Sequence, residues 1–261
     1  MSNDIAQKAG RVPAVGSGGA AIVLLIARRE LAGYFSSISG YIILAAHLLV
    51  TGLLFNVYAV GNNPRYSQEV LEAFFFFSSG VTMITAIVLS VRLIAEEKQL
   101  KTLVLLRTSP ITERQLIWGK FLSAFAFFAL TLLLSIYMPA LISLNGKVSF
   151  SQIMAGYLGL LLLGGACISI SLTASVWSNT QLIAGVVAGL LVTLLLVSWM
   201  LAKVTEEPLK TLFYYTALHN MHFRTFARGI LNLRDVVYYL SLILLFLEIS
   251  ISSLGAWRWR G

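Results

Sequence analysis

The sequence predicts an all-α, polytopic membrane fold, with six transmembrane helices preceded by an amphipathic helix in the membrane interface. Three observations carry this prediction. Of the 261 residues, 58% are hydrophobic and only 11% are charged, whereas a soluble domain holds about 45–50% apolar and about 25% charged residues. So little charge cannot cover a water-facing surface, which excludes both a soluble enzyme and a disordered chain. The apolar residues are also gathered into six runs, at 40–58, 71–94, 116–143, 152–176, 180–202 and 236–256, each near the roughly 20 residues that cross a bilayer. Finally, the net charge of +8 is spread over the ends of these runs. That is a pattern of helix orientation, not of nucleic-acid binding.

Taken in order, residues 1–19 read as a flexible tail and 20–261 as one transmembrane domain. No cleavable signal peptide is evident. Ile22–Ile38 places Leu24, Ala27, Leu31, Tyr34, Phe35 and Ile38 at helical spacing, with Arg28, Arg29, Glu30 and Ser36 on the other side. This is an interfacial helix or a cytoplasmic extension of the first span. The connection Arg92–Lys120 concentrates charge around an apolar stripe of Leu100, Leu103, Val104 and Leu106. It is either a surface for another protein to grip or a solvated loop that only sets topology. Thr108-Ser109-Pro110 breaks the chain there. Thr112 with Gln115 three residues on reads as a capping box, so the third span starts at about Glu113, well before the bilayer. That span is long and meets Pro139 near its far end, where a kink is tolerable. The connection Lys203–Asp235 is long and carries Leu209, Leu212, Phe213, Ala217, Phe223, Phe226 and Ile230, which predicts one or two short helices.

Lys and Arg set the orientation. With the N-terminus in the cytoplasm, Lys8, Arg11, Arg28, Arg29, Arg92, Lys98, Lys101, Arg107, Arg114, Lys120, Arg258 and Arg260 lie inside. Arg65, Lys147, Lys203, Lys210, Arg224, Arg228 and Arg234 lie outside. The balance puts both termini in the cytoplasm.

Few residues carry reactive chemistry. The single cysteine, Cys167, sits in an apolar run and reads as a small buried hydrophobe. The ionisable groups within spans are His47 and Glu248, a polar lining or gate on one reading and internally satisfied side chains on the other. Gly185 and Gly189 form a G-x-x-x-G that lets a neighbouring helix approach closely, either one from another chain or a helix of the same chain. His219 and His222 with Met221 make an incomplete metal set, so no metal is expected. Neither Gly119-Lys120 nor Gly146-Lys147 has the surroundings of a phosphate-binding loop. No internal repeat stands out, which weakens an inverted-repeat carrier.

Three stretches resemble a known family. The first is Ala95-Glu96-Glu97-Lys98, Thr102-Leu103, Leu106, Thr108-Ser109-Pro110-Ile111-Thr112 and Trp118-Gly119-Lys120-Phe121-Leu122. It is similar to the connection between spans two and three of ABC-2 type exporter permeases, closest to the gliding-motility type. Arg29-Glu30-Leu31, Phe35-Ser36-Ser37 and Gly40-Tyr41 resemble that family's interfacial helix, and Arg228-Gly229 with Arg234-Asp235-Val236-Val237-Tyr238-Tyr239 resembles its start of span six. The resemblance implies the ABC-2 (type V exporter) architecture in a bacterial cytoplasmic membrane. It implies a second permease, identical or related, and a P-loop ABC ATPase subunit that carries ATP and Mg. This chain would bind no cofactor itself, touch membrane lipid and bind no nucleic acid. A coupling helix at about Gln99–Arg107 would seat on the ATPase, with Glu96, Glu97, Lys98, Thr102, Leu103, Leu106, Ser109 and Pro110 in contact roles. Lys101 stands where the family usually has Gly, and Val104 where Glu is common. The implied function is that of an exporter permease without an ATP site. A scaffold that anchors an ATPase without transport, or a stand-alone carrier, is the alternative.

Overall fold

The computed structural model describes residues 19–59, 66–102, 111–145 and 149–259. Among these, every regular element is helical: α1 (Gly19–Ser36), α2 (Ile38–Ala59), α3 (Ser67–Gln99), α4 (Glu113–Leu134), α5 (Tyr137–Asn145), α6 (Phe150–Trp177), α7 (Gln181–Val204), α8 (Leu209–Thr216), α9 (Phe223–Ala227) and α10 (Leu233–Trp259). Six of these, with α4 and α5 counted as one span, are long and apolar enough to cross a membrane. They alternate in direction. One end of the bundle therefore gathers α1, the C-terminus of α3, the N-terminus of α4 and the α6–α7 connection. We call it the α1 end, and the opposite one the far end.

Local chemistry explains where these helices begin and break. Ser37 separates α1 from α2, and the chain turns so tightly that a Cβ on Gly40 would overlap the Tyr34 carbonyl. Only glycine fits that approach. Thr112 opens α4 with both arms of its capping box made: Gln115 N–H donates to Thr112 Oγ1 at 3.3 Å and Thr112 N–H to Gln115 Oε1 at 3.0 Å. The third span breaks at Ser135–Ile136, ahead of Pro139 and not at it. Proline lacks an N–H and its ring crowds the carbonyl four residues earlier, here Ser135. The chain tightens accordingly, with Ser135 N–H donating to Leu132 O and Ile136 N–H to Leu133 O.

Helix α6 is the central post. It touches α3, α4, α7, α9 and α10, and 72% of its spanning stretch is buried. Its small residues admit aromatic rings: a Cβ on Gly156 would overlap the Phe75 ring, one on Gly164 the Phe128 ring, and one on Gly159 would lie 2.6 Å from Phe226 Cβ. Cys167 is buried in the same helix. The connection after α7 turns back into the bundle. Leu218 N–H donates to Leu195 O, and Phe223 and Phe226 are fully buried.

Helix α1 departs from its expected orientation. The face packed on the bundle carries Ile26, Ala27 and Tyr34, while Leu24, Leu25 and Phe35 are exposed. Glu30, placed by periodicity on the polar side, falls on the packed face, because the α3–α4 pair offers it a buried cation.

Gly159→Ala should destabilise the fold by about 1–3 kcal/mol, since Phe226 Cβ is tied closely to its own backbone and cannot swing away. Gly189→Ala meets nothing within 4 Å among the described residues and should raise monomer stability by about 0.5–1 kcal/mol, the helix cost of glycine. Thermal unfolding of the two variants in the same detergent checks the contrast.

Candidate functional site

The strongest electrostatic feature lies at the α1 end. Lys120, in the second turn of α4, is 1% exposed. A buried ammonium is costly unless paired, and two carboxylates meet it. Its Nζ lies 2.7 Å from Glu97 Oε1 on α3 and 3.5 Å from Glu30 Oε1 on α1. Three elements are thus tied through one nitrogen. Burial works to raise the Glu30 pKa, but the charges of Lys120 and Arg29 outweigh it and hold the carboxyl below its ordinary 4.5. A depressed carboxylate stabilises the fold above its unfolded pKa, and the contribution is lost as the pH falls through the folded value. The α1 contact is therefore intact at neutral pH and loosens only in acid.

A cleft of about 210 Å3 opens beside this node, lined by Glu30, Tyr34, Arg92, Glu96, Glu97 and Lys120 among others. Arg92 pairs with Glu96 at 3.6 Å, donates to Ser39 Oγ and sits over the Tyr34 ring at 5.1 Å. Tyr34 stacks on Phe127, and its hydroxyl donates to Leu89 O at 3.1 Å. Lys98 Nζ donates to Val176 O at the C-terminus of α6, where a cation complements the free carbonyls. One turn deeper, Ser175 Oγ accepts from Ala95 N–H at 2.8 Å and donates to Val91 O at 2.7 Å. Those are the donor and acceptor of one turn of α3, so α6 is stitched into the backbone of α3 itself.

Helix α3 ends in a Schellman turn. Lys101 N–H donates to Lys98 O and Thr102 N–H to Glu97 O, with Lys101 at φ 56°. Gln99 is the last residue of α3 and Leu100–Thr102 form the turn, so the expected coupling helix does not begin at Gln99. Lys101 adopts the left-handed conformation that glycine usually supplies at this position.

The structure sorts the expected site residues as follows. Glu96, Glu97, Lys98 and Thr102 gather at the end of α3, with Glu97 and Lys98 holding α4 and α6. Leu103, Leu106, Ser109 and Pro110 lie outside the described residues. His47 and Glu248 do not share a site. His47 Nδ1 lies 2.9 Å from Thr85 Oγ1 between α2 and α3. Glu248 is half exposed and takes two hydrogen bonds from Arg114, at 2.9 and 3.1 Å, which places it level with the first turn of α4. The Gly185–Gly189 face is open, with Val91 Cγ1 at 4.0 Å from a Cβ on Gly185 and nothing near Gly189. Its neighbours Ala184 and Ala188 make the internal contact, against Val91 and Ala95.

His219 and His222 enter separate networks at the far end. His219 Nε2 lies 2.6 Å from Ser79 Oγ, and burial lowers its pKa. His222 Nδ1 lies 2.7 Å from Asp235 Oδ1, and its ring stacks on Tyr238 at 3.8 Å. Asp235 Oδ2 accepts from Thr225 Oγ1 at 2.7 Å. Among the described residues no three His, Cys, Asp or Glu side chains are grouped as a metal would need.

Sequence periodicity misses Glu30, Arg92, Lys120 and Ser175. One signal was available: Lys120 has Ile117, Phe121 and Ala124 around it on its helix, and a lysine so placed needs a carboxylate from another element.

This is a polytopic helical membrane protein in which, among the described residues, a buried charge cluster joins α1, α3 and α4 at one end of the bundle. Residues 36–200 match the family described as ABC-2 family transporter protein, well over half of the chain. The chain belongs to that family, and is a permease component of an ABC transporter. Permeases of this family are membrane components without an ATP site of their own, and they work with an ABC ATPase. The match covers α2 to most of α7; α8, α9 and α10 lie beyond it. The comparison with curated proteins returns no match.

Lys120→Met should cost about 3–5 kcal/mol by stranding two carboxylates, and adding Glu97→Gln should recover part of it. Lys101→Gly should stabilise the chain by about 0.5–1 kcal/mol by relieving the left-handed residue. Thermal unfolding of the three variants against the parent checks both expectations.

Proposed function

We propose that this chain is the transmembrane subunit of an ATP-driven exporter, worked by a separate P-loop ATPase that holds ATP and Mg and docks at the α1 end. The observation that carries this reading is the Lys120 node. The segment 96–110 leaves α3 beside Glu97 and returns through Thr112 to the helix that bears Lys120. A force on that segment reaches α1, α3 and α4 together. Nucleotide acts by favouring one conformer over another, so a rigid coupling between docking site and spans is what the mechanism requires. Glu96, Thr102, Leu103, Leu106, Ser109 and Pro110 are the contact residues in this scheme, and Glu97 and Lys98 position them.

The same reading puts the α1 end and both termini in the cytoplasm of a bacterium, in agreement with its lysines and arginines. A second permease, identical or related, completes the path. The open Gly185–Gly189 face supports that interface, because close approach of a helix there would fill space that the chain itself leaves empty. The gliding-motility type is the subclass that the Ala95–Leu122 stretch resembles most.

The test is to purify the tagged chain gently from its own host and identify what accompanies it. A stoichiometric P-loop ATPase is expected, lost in Leu103→Asp and Leu106→Asp while membrane insertion is unchanged. A folded, inserted chain that never brings down an ATPase overturns the reading. An ATPase that is captured but drives no efflux from cells or vesicles reassigns the chain to a scaffold.

A further inference from the structure

Three buried hydroxyls in the spanning region have no hydrogen-bond partner among the described residues: Thr51 Oγ1 on α2, and Ser78 Oγ and Thr82 Oγ1 on α3. All three residues are at most 2% exposed. Their state is unusual for this molecule. Elsewhere, buried hydroxyls turn back onto their own helix: Ser90 donates to Ala86 O, Thr131 to Phe127 O and Ser171 to Cys167 O. The same back-bond is open to any helical Ser or Thr. These three do not make it.

Helix register brings them to one level. Antiparallel α2 and α3 are fixed by two contacts, His47 with Thr85 at 2.9 Å and Phe55 with Phe74 at 5.9 Å between ring centroids. Thr51 lies midway between His47 and Phe55. The matching midpoint on α3 falls at residues 79–80, flanked by Ser78 and Thr82 within about 4 Å along the axis. The three hydroxyls share a level yet do not bond to one another. A bridging group that both donates and accepts would satisfy them, and such a group needs two to four polar partners. Met138 Cε, from the first turn of α5, approaches to 3.4 Å of where a Cβ on Gly52 would be.

We propose that Thr51, Ser78 and Thr82 bind a small cluster of water inside the membrane domain, held between α2 and α3. The cluster satisfies hydroxyls that hydrocarbon would leave unpaired. It also gives α2, of which only 17% is buried along its central stretch, a hydrated contact with α3 in addition to the apolar one.

The test is a mutant cycle on the full chain in lipid nanodiscs. Thr51→Val and Thr82→Val keep the side-chain shape and remove the bridge. Each should lower the Tm by several degrees, and the double variant should fall no further than the worse single, because both lose one shared cluster. Thr51→Ser and Thr82→Ser, which keep the hydroxyl, should preserve the Tm. Millisecond radiolysis in H2(18)O supplies a second readout, since Met138, 1% exposed and packed against Gly52 next to Thr51, is oxidised by water held in the seam although bulk solvent does not reach it. Labelling of Met138 in the parent and its loss in Thr51→Val/Thr82→Val is expected. Single variants that raise the Tm, effects that simply add, or Met138 labelling that is absent or unchanged by the double substitution would show the seam to be dry and overturn the proposal.

Discussion

In hydrocarbon a helix gains nothing by exchanging lipid for another helix's leucines, so association depends on how closely two backbones can come. Helix α6 meets that condition along most of its length. Gly156, Gly159 and Gly164 each leave a hollow that an aromatic ring from a different helix occupies, and Thr173 and Ser175 add hydrogen bonds to α10 and α3. Because α6 is built of small residues, α3, α4, α7, α9 and α10 all reach it. The arrangement of the other spans follows. Helix α3, which packs on α6 most extensively, has 61% of its spanning stretch buried, whereas α2 has 17% and meets the bundle mainly through α3.

The two ends of this post are secured by different chemistry. At the α1 end the bonds are ionic and charge-assisted: Lys120 between Glu97 and Glu30, and Lys98 on the last carbonyls of α6. Interactions of this kind are strong where water is scarce, and they are costly to leave half made. At the far end the bonds are mostly local to the returning chain. Asp235 pairs with His222 and accepts from Thr225, and the hydroxyls of Tyr238 and Tyr239 donate to Thr216 O and Leu218 O. If an ATPase docks at the α1 end as proposed, a few strong links between separate helices suit the transmission of a push.

Much of the fold was legible because bilayer physics writes it in long, redundant signals. Twenty apolar residues cannot be mistaken, and the Thr112–Gln115 capping box marks the start of α4 in four residues. The break before Pro139 was foreseen in kind but not in place, since proline disturbs the carbonyl four residues earlier and not its own position. The site was less legible. Periodicity sorts residues into polar and apolar faces, and so it put Glu30 toward water. It cannot know that another helix will offer a buried ammonium to that face. Lys101 shows the same limit from the other side. Its left-handed backbone is a property of the turn that closes α3, and the residue type gives no hint of it. His47 and Glu248 were paired by their rarity alone, and three dimensions separate them.

The glycine pattern shows how an open surface differs from a packed one. On α6 the glycines are filled, and their replacement would force rings or backbone to move. On α7 the small residues split into two adjacent rows. Ala184 and Ala188 are fully buried against α3 and α6, while Gly185 and Gly189, one position on, face outward with nothing of the chain against Gly189. Internal packing had already taken the alanine row. A glycine costs helix stability of roughly 0.5–1 kcal/mol relative to alanine, and within this chain the Gly189 hollow returns nothing for that cost. A helix from a second permease seated in the hollow would return it, by gaining the close backbone approach that α6 gives to its own neighbours. It is the contrast between these two rows of one helix, and not the G-x-x-x-G spacing, that points to a partner on that face.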